Sequence, residues 1–279
     1  MSFRPIVLGA LYPGIDRGLK ADLLATQALS GSALPICTSH VVAGNGVVTD
    51  VLNVPSDTVS AQLEHVFKTQ SPTSAKISII GASSTADRVF EHLEQFGGPI
   101  VYDLTISGPS GEDVLGQRGL ESVTDRLSLA DLVTIRLNDA SLVAGMEIPS
   151  LDDAQVAAQR IAQQGAKRVL IRCGKLPTHF YDQETSPPDY ALDLFYDGED
   201  FALFEAPYLS GLDDHHGASS GLLLPLLKSL EAREEFEPSL QKAKARVSEA
   251  LREAQDNPDQ HSYTFYHALE KEPTVSEVQ

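Results

Sequence analysis

Apolar residues along the chain keep two rhythms in alternation. Short runs rich in Val, Ile and Leu predict strands, and the longer stretches between them repeat an apolar residue every three or four positions, which predicts helices. "PIVLGAL" (residues 5–11) is the first strand and ends in the turn "YPGIDRG". Leu19, Leu23, Leu24 and Ala28 then fall at helical spacing, with Gly31 as the stop. "LPICTSHVV" reads as a strand. "PSDTVSAQLEHVFKTQ" reads as a helix in which a Ser or Asp cap precedes Val59, Leu63, Val66 and Phe67 on one face. "AKISIIGA", "GPIVYDLTI" and "DLVTIRL" continue the strands, the second ending at Asp103, and "STADRVFEHLEQF" is a helix. "LDDAQVAAQRIAQQGAKRVLIRCG" is a helix, a glycine stop and a strand. "YALDLFYD" and "DFALFEAPY" form an antiparallel hairpin joined at Gly198, and "LLLPLLKSL" and "EPSLQKAKARVSEALREAQ" are the last helices.

Strands alternating with helices of this length predict an α/β fold: a doubly wound, mainly parallel central sheet with helices on both faces and an antiparallel edge hairpin. No repeat and no long linker divides the chain, so a single domain is expected over residues 1–256, with a polar C-terminal tail over 257–279. In such a sheet ligands bind beyond the carboxyl ends of the strands. Here those ends lie at Gly9 to Gly18, Gly81 to Ser84, Asp103 to Asp113, Arg136 to Asp139, Cys173 to Lys175, and the turn from Asp213 to Ser220.

Composition narrows the class. At 279 residues and 42% hydrophobic the chain can bury a substantial core. No apolar run approaches the roughly 20 residues a membrane span needs, and the N-terminus lacks a signal-peptide layout, so no membrane partner and a cytoplasmic location are expected. Cys37 and Cys173 suit neither a disulfide framework nor a zinc site and read as small buried hydrophobes. A net charge of −18, from 39 acids against 21 bases, disfavours a nucleic-acid partner. Acids spread along the chain rather than gathered in a tail predict a solvated acidic surface suited to a high-salt cytosol.

The stretch "DDHHGASSGLLLPLLKSL" (residues 213–230) carries the densest candidate chemistry. Residues 217–220 open an apolar helix, where unpaired backbone N–H groups and the helix dipole can hold a phosphate. Capping by Ser219 or Ser220 is the plainer reading of the same residues. Asp213, Asp214, His215 and His216 could also be read as a metal cluster, against which stands the lack of any His-x-x-x-His spacing. The first loop lacks the full GxGxxG and the Walker arrangement, and the serines lack a GxSxG elbow. Asp103 and Asp139, at strand ends, can either hold magnesium against substrate phosphates through water or serve as loop and helix-capping partners.

These pieces occur in a familiar order. "PGIDRGLKADLLATQALSG" resembles the Pro-Ser-Gly-Gly-Ala-Gly-Ile-Gln-Ala-Asp-Leu segment of the hydroxymethylpyrimidine/phosphomethylpyrimidine kinases, ribokinase-like enzymes related to pyridoxal kinases. "PIVYDLTISGPSGEDVL" is similar to their Val-Val-Asp-Pro-Val-Met stretch, and "LVTIRLNDASLVAG" to Thr-Pro-Asn-x-x-Glu-Ala-x-x-Leu-x-Gly. "RVLIRCGKL" is similar to Val-Leu-Val-Lys-Gly-Gly-His, and "HHGASSG" to His-Gly-Thr-Gly-Cys-Thr. The resemblance spans residues 5–255. It implies ATP-dependent phosphorylation of a hydroxymethyl group on a small heterocycle in thiamine biosynthesis, with magnesium as cofactor and self-association into homodimers. Carried over, Gly217, Ala218, Ser219 and Ser220 form the catalytic anion hole. Asp103, Asp139, Gly174 and Lys175 face the nucleotide, Asp103 and Asp139 also the metal, and Tyr12, Asp16 and Gly18 the substrate.

The departures from the family pattern cluster at the same positions. The family's catalytic Asp or Cys is Ser220 here, and a serine hydroxyl alone is a poor base; losing a general base costs about 10²- to 10⁴-fold. Ser219 replaces a glycine of the anion hole, and Ile135 and Arg136 replace Pro and Asn. Leu11 and Tyr12 stand for Ser-Asp, Ile15 and Asp16 for two glycines, and "TSHVVAGNG" offers no substrate glutamine. Two expectations follow: an active kinase whose base comes from Asp16, Asp213 or His216, or a catalytically impaired ligand-binding or regulatory protein on the same fold.

Overall fold

The computed structural model describes residues 2–44, 47–108, 120–122, 124–175, 190–209 and 217–273. The chain runs β1 (Pro5–Leu11), α1 (Leu19–Ala28), β2 (Leu34–Gly44), β3 (Val47–Asn53), α2 (Ser56–Thr69), β4 (Ser74–Ile77), α3 (Ser83–Leu93), β5 (Ile100–Leu104), β6 (Leu132–Arg136) and α4 (Leu137–Ala144). It continues through α5 (Leu151–Gln163), β7 (Val169–Lys175), β8 (Tyr190–Tyr196), β9 (Phe201–Pro207), α6 (Ala218–Glu231), α7 (Phe236–Gln255) and α8 (His261–Ala268).

Among the described residues these strands form one sheet in the order β3-β2-β1-β4-β5-β6-β7-β8-β9. The pairings from β2 through β7 are parallel, and β8 and β9 close one edge antiparallel as the hairpin pattern predicts. The other edge holds a strand the apolar pattern does not reveal. β3 returns antiparallel on β2, and its alternation is hidden because its side chains are mostly exposed on both faces.

Period-2 alternation divides the sheet between two cores. Ile6, Leu8, Ile77, Tyr102, Val133 and Ile171 face α2, α3, α4 and α5. Val7, Val101, Leu132 and Leu170 face the opposite way, against α1, α6, α7 and α8. The parallel strands are thus buried on both faces, which is why they read as continuous apolar runs.

Three expectations are corrected. α1 buries Leu19 and Ala28 and packs Leu24 against the core as the spacing predicts, but Leu23 is 40% exposed, and Asp22, Ala25 and Thr26 share the buried face. The helix ends at Ala28, and Ser30 beyond it takes the left-handed region at φ 57°, with the Gly31 amide donating back to Thr26 O at 2.9 Å. α2 is capped by no Ser or Asp side chain; its N-cap is Pro55, and such a cap appears instead on α5, where Ser150 Oγ accepts from the Asp153 amide at 3.1 Å. Finally, the tail expected from residue 257 is folded through residue 273. α8 packs on α7 and α1 and buries Phe265 and Leu269 completely, and Arg246 Nη1 holds Leu269 O at 3.1 Å. Its few apolar residues sit in a polar context, so periodicity alone does not mark it as core.

Candidate active site

The face of the sheet beneath α6 changes character along the strands. Its amino-terminal half is apolar, through Val7, Val101, Leu132 and Leu170; two residues further on, the same face carries Asp103 and Arg172, and Arg136 follows at the end of β6. Parallel registers draw these positions together. Asp103 pairs with Thr134, Arg136 with Arg172, and Lys76 of β4 lies beside Val101. A side chain two residues past an apolar one shares its face, so the carboxyl ends of four strands deliver charges under one helix mouth.

α6 begins there. Gly217 is its N-cap, at φ 111°, and its carbonyl accepts the Gly221 amide at 2.8 Å. The amides of Ala218, Ser219 and Ser220 precede that first intrahelical bond and are the donors a helix N-terminus offers an anion. A Cβ on residue 217 would lie 2.5 Å from the Tyr266 hydroxyl, so both the backbone angle and the packing of α8 demand glycine.

Two cavities meet at this mouth. One of about 270 Å³ is lined by Tyr12, Gly18, Lys76, Asp103, Ser107 and residues 217–220, among others. One of about 620 Å³ opens on the other side, over Cys173, Gly174, Asp193, Leu222 and Lys244. Arg136, Arg172, Ala218 and Ser219 line both and form the partition. Among the described residues the smaller cavity sets four cations, Arg17, Lys76, Arg136 and Arg172, against one carboxylate, that of Asp103, in a protein whose net charge is −18. That local reversal of sign focuses the field toward anionic ligands.

Asp103 is the hub. Its Oδ1 meets Arg172 Nη2 at 2.6 Å, while Oδ2 accepts from Ser219 Oγ at 2.5 Å and lies 3.8 Å from Lys76 Nζ. Burial pushes this carboxyl up, but Arg172, Lys76, the Ser219 hydrogen bond and Arg136 outweigh burial and hold it below the ordinary carboxylate range. Lys76, only 2% exposed, also pairs with Asp22 Oδ1 at 2.8 Å. Asp22 is fully buried and accepts Ser220 Oγ at 2.7 Å. Asp22, Lys76 and Arg172 are absent from the sequence-derived site. The available signals were a lysine inside the apolar strand "AKISII" and an acid on the small-residue face of α1.

The other candidates separate. Tyr12 and Gly18 line the smaller cavity; at Gly18, φ 54°, a Cβ would strike Ala10 O at 2.1 Å. Gly174 lines the larger cavity beyond an irregularity in the β7–β8 register, and Lys175 ends β7 opposite Ala191. Asp16 is corrected: it pairs with Lys20 at 2.6 Å and accepts Ser262 Oγ of α8, and it lines neither cavity. Asp139 is corrected likewise. Fully buried, it takes Arg136 Nη2 at 2.7 Å, the Ser107 amide at 3.2 Å and the Ser107 hydroxyl, and so staples the loop after β5 to the start of α4. Asp213, Asp214, His215 and His216 lie outside the described residues.

These residues do not fit a magnesium ion held by the protein. Both Asp103 oxygens are engaged by cationic or hydroxyl donors and Asp139 is sealed, and the described residues contain no group of three acids, histidines or cysteines suited to a metal. Among the described residues no helix is long and apolar enough to cross a membrane. Cys173, in the larger cavity wall, has its thiol pushed up to about 12, chiefly by burial and then by Asp193. Cys37 is partly buried.

Residues 15–264 match the phosphomethylpyrimidine kinase family. The chain belongs to that family. It is 30% identical over 196 residues to the hydroxymethylpyrimidine/phosphomethylpyrimidine kinase of Aquifex aeolicus, covering 70% of this chain and 73% of the relative. It is 24% identical over 253 residues to the thiamine biosynthesis multifunctional protein ThiED of Corynebacterium efficiens, covering 90% of this chain and 33% of that one. Among solved structures it resembles the Staphylococcus aureus pyridoxal kinase in complex with AMP-PCP and pyridoxal, with TM-score 0.76, 23% identity and coverage of 91% and 89%. The Clostridium difficile phosphomethylpyrimidine kinase gives TM-score 0.73 at 20% identity, covering 89% of this chain and 99% of that one. At those identities the structural likeness speaks to fold, and the ribokinase-like architecture expected from the motifs is the one present. The family match runs past residue 257, in keeping with the folded C-terminal helix.

Proposed function

We propose that this protein transfers the γ-phosphoryl group of ATP to the hydroxymethyl group of a small heterocycle, hydroxymethylpyrimidine or its monophosphate, as a cytoplasmic enzyme of thiamine biosynthesis. The observation that carries this reading is the pair of cavities sharing the Ala218–Ser219 wall at the mouth of α6. Phosphoryl transfer needs a donor and an acceptor in line across a site that stabilises spreading negative charge, which is largely a matter of positioning and electrostatics.

On this reading ATP occupies the larger cavity, its base over Leu222, Val247 and Leu251, and the acceptor occupies the smaller one under Tyr12 and Ile79. The γ-phosphoryl group lies at the partition. There the amides of residues 218–220, Lys76 and Arg172 receive the charge that develops. Arg172 Nε is buried without a hydrogen-bond partner among the described residues, a donor such a phosphate would satisfy. Asp103 orients Arg172 and Ser219 rather than meeting the phosphate itself. Magnesium, brought on the nucleotide phosphates, would shield their charge.

A second reading, a ligand-binding or regulatory protein, is favoured by Ser220 standing where the resembling kinases carry an Asp or Cys. Magnesium ATP with hydroxymethylpyrimidine, its monophosphate, pyridoxal and pyridoxine, followed by ADP release, separates the two. Acceptor-dependent ADP release supports the kinase. Nucleotide binding without turnover supports the second reading.

A further inference from the structure

Among the described residues, the kinase reading leaves the acceptor hydroxyl without an obvious base. Asp103 is the only carboxylate lining the smaller cavity among the described residues, and its two oxygens are occupied by Arg172 and Ser219. Asp16 is turned away onto Lys20 and Ser262. Ser220 lines the cavity at the mouth of α6, and its hydroxyl proton already points at a carboxylate: Ser220 Oγ donates to Asp22 Oδ1 at 2.7 Å.

We propose that Ser220 and Asp22 form a proton relay, in which Ser220 takes the acceptor's hydroxyl proton as it passes its own to Asp22. This rests on the kinase reading above. The acceptor oxygen forms its bond to the γ-phosphorus as the bond from that phosphorus to the bridging oxygen of ATP breaks, and the electron pair leaves with ADP. The acceptor's proton moves to Ser220 Oγ, and the serine's original proton moves to Asp22 Oδ1. The relay resets through the same two groups once product leaves. Ser220 is the catalytic residue of the pair and Asp22 a positioning residue that acts through it.

Two features support the assignment. Asp22 is fully buried, and although Oδ1 pairs with Lys76, its Oδ2 has no hydrogen-bond partner among the described residues, which leaves one carboxylate oxygen open for a proton. Lys76 bridges Asp22 at 2.8 Å and Asp103 at 3.8 Å and lines the cavity. Protonation of Asp22 removes the charge that holds Lys76 on that side, and frees the ammonium to face the phosphoryl group as its charge spreads. The Ser220 and Asp22 positions lie 198 residues apart in the chain, so a serine that looks inert in the sequence gains a carboxylate partner only on folding.

The test is a double-mutant cycle on the full chain, with Asp22→Asn, Ser220→Ala and the double variant, each checked for folding by thermal unfolding. Each single change is expected to lower kcat about 10²- to 10⁴-fold with KM for ATP little changed. The double variant should be no slower than the slower single, as for residues acting as a unit. Losses that multiply would overturn the relay, as would wild-type kcat in Ser220→Ala. Should Asp22→Asn fail to fold, single-turnover rates in mixed H2O and D2O read the same property in the wild type. Two protons in flight bow the plot of rate against deuterium fraction, and a straight line rejects the relay. A Ser220→Asp variant, with its own carboxylate, should give a straight line. A wild type that turns over no acceptor at all defeats the kinase reading and the relay with it, whereas turnover with multiplying losses defeats the relay alone.

Discussion

The Arg172 guanidinium lies 2.6 Å from the Asp103 carboxylate, and this contact ties the two cavities together, because Arg172 lines both while Asp103 lines only the smaller. Asp103 also holds Ser219 and approaches Lys76, so one carboxylate sets the position of three groups around the partition. Asp103→Asn leaves Arg172 without its carboxylate, while Lys76 keeps Asp22 at 2.8 Å. It is expected to cost about 3–5 kcal/mol, the range for breaking a buried pair by removing one partner.

The same pair has a pH signature. The native Asp103 carboxyl is held below its ordinary range, so its contribution is complete above the unfolded value of about 3.9 and is lost as pH falls through the lowered native value. Urea denaturation of wild type and Asp103→Asn should differ by a constant amount from neutral pH down to about pH 4. The gap should close only below that. A gap that narrowed already between pH 7 and 5 would contradict the assignment.

Gly217→Ala should damage stability and turnover together. A non-glycine residue at φ 111° costs about 1–3 kcal/mol, and the added Cβ would also meet the Tyr266 hydroxyl at 2.5 Å. Combining it with Tyr266→Phe removes the clash and leaves the backbone strain. Thermal unfolding should therefore show partial recovery in the double variant; full recovery would mean that the backbone angle does not matter.

Truncation after residue 256 should not yield a functional core. Phe265 and Leu269 are completely buried, and their loss removes roughly 3–6 kcal/mol of apolar burial from a domain whose whole stability is about 5–15 kcal/mol. It also strips Tyr266 from the back of Gly217. The expected outcome is an insoluble or molten product by circular dichroism and size exclusion, whereas a truncated chain unfolding at the wild-type temperature would restore the tail reading.

With 39 acids against 21 bases, self-repulsion should be relieved by salt. The melting temperature is expected to hold or rise as potassium chloride increases. A steady fall across the titration counts against a surface adapted to high ionic strength.

Much of the fold was legible because its rules are local. A parallel strand buried on both faces is apolar along most of its length, an amphipathic helix must repeat near 3.6 residues, and the alternation of the two forces βαβ units. The strand-end rule pointed to the carboxyl ends of the strands from order alone, and Gly217, Asp103, Tyr12 and Gly18 line a cavity there. Leucine spacing marked only part of the buried face of α1: Leu19 and Ala28 lie on it, but so do Thr26 and Asp22, the carboxylate that meets Ser220, which apolar periodicity does not mark. Asp139 and Asp16 failed as ligands for a related reason: a carboxylate at a strand end or in a loop looks the same in sequence whether it faces a cavity or is consumed by Arg136 or by Ser262. The linear pattern carries periodicity, and periodicity specifies which face of an element is buried and how elements alternate. Partnership between charges is a matter of distance across the sheet, so the joining of Asp22, Lys76, Asp103 and Arg172 beneath one helix mouth arises from strand register and helix docking, neither of which is written at any one of those positions.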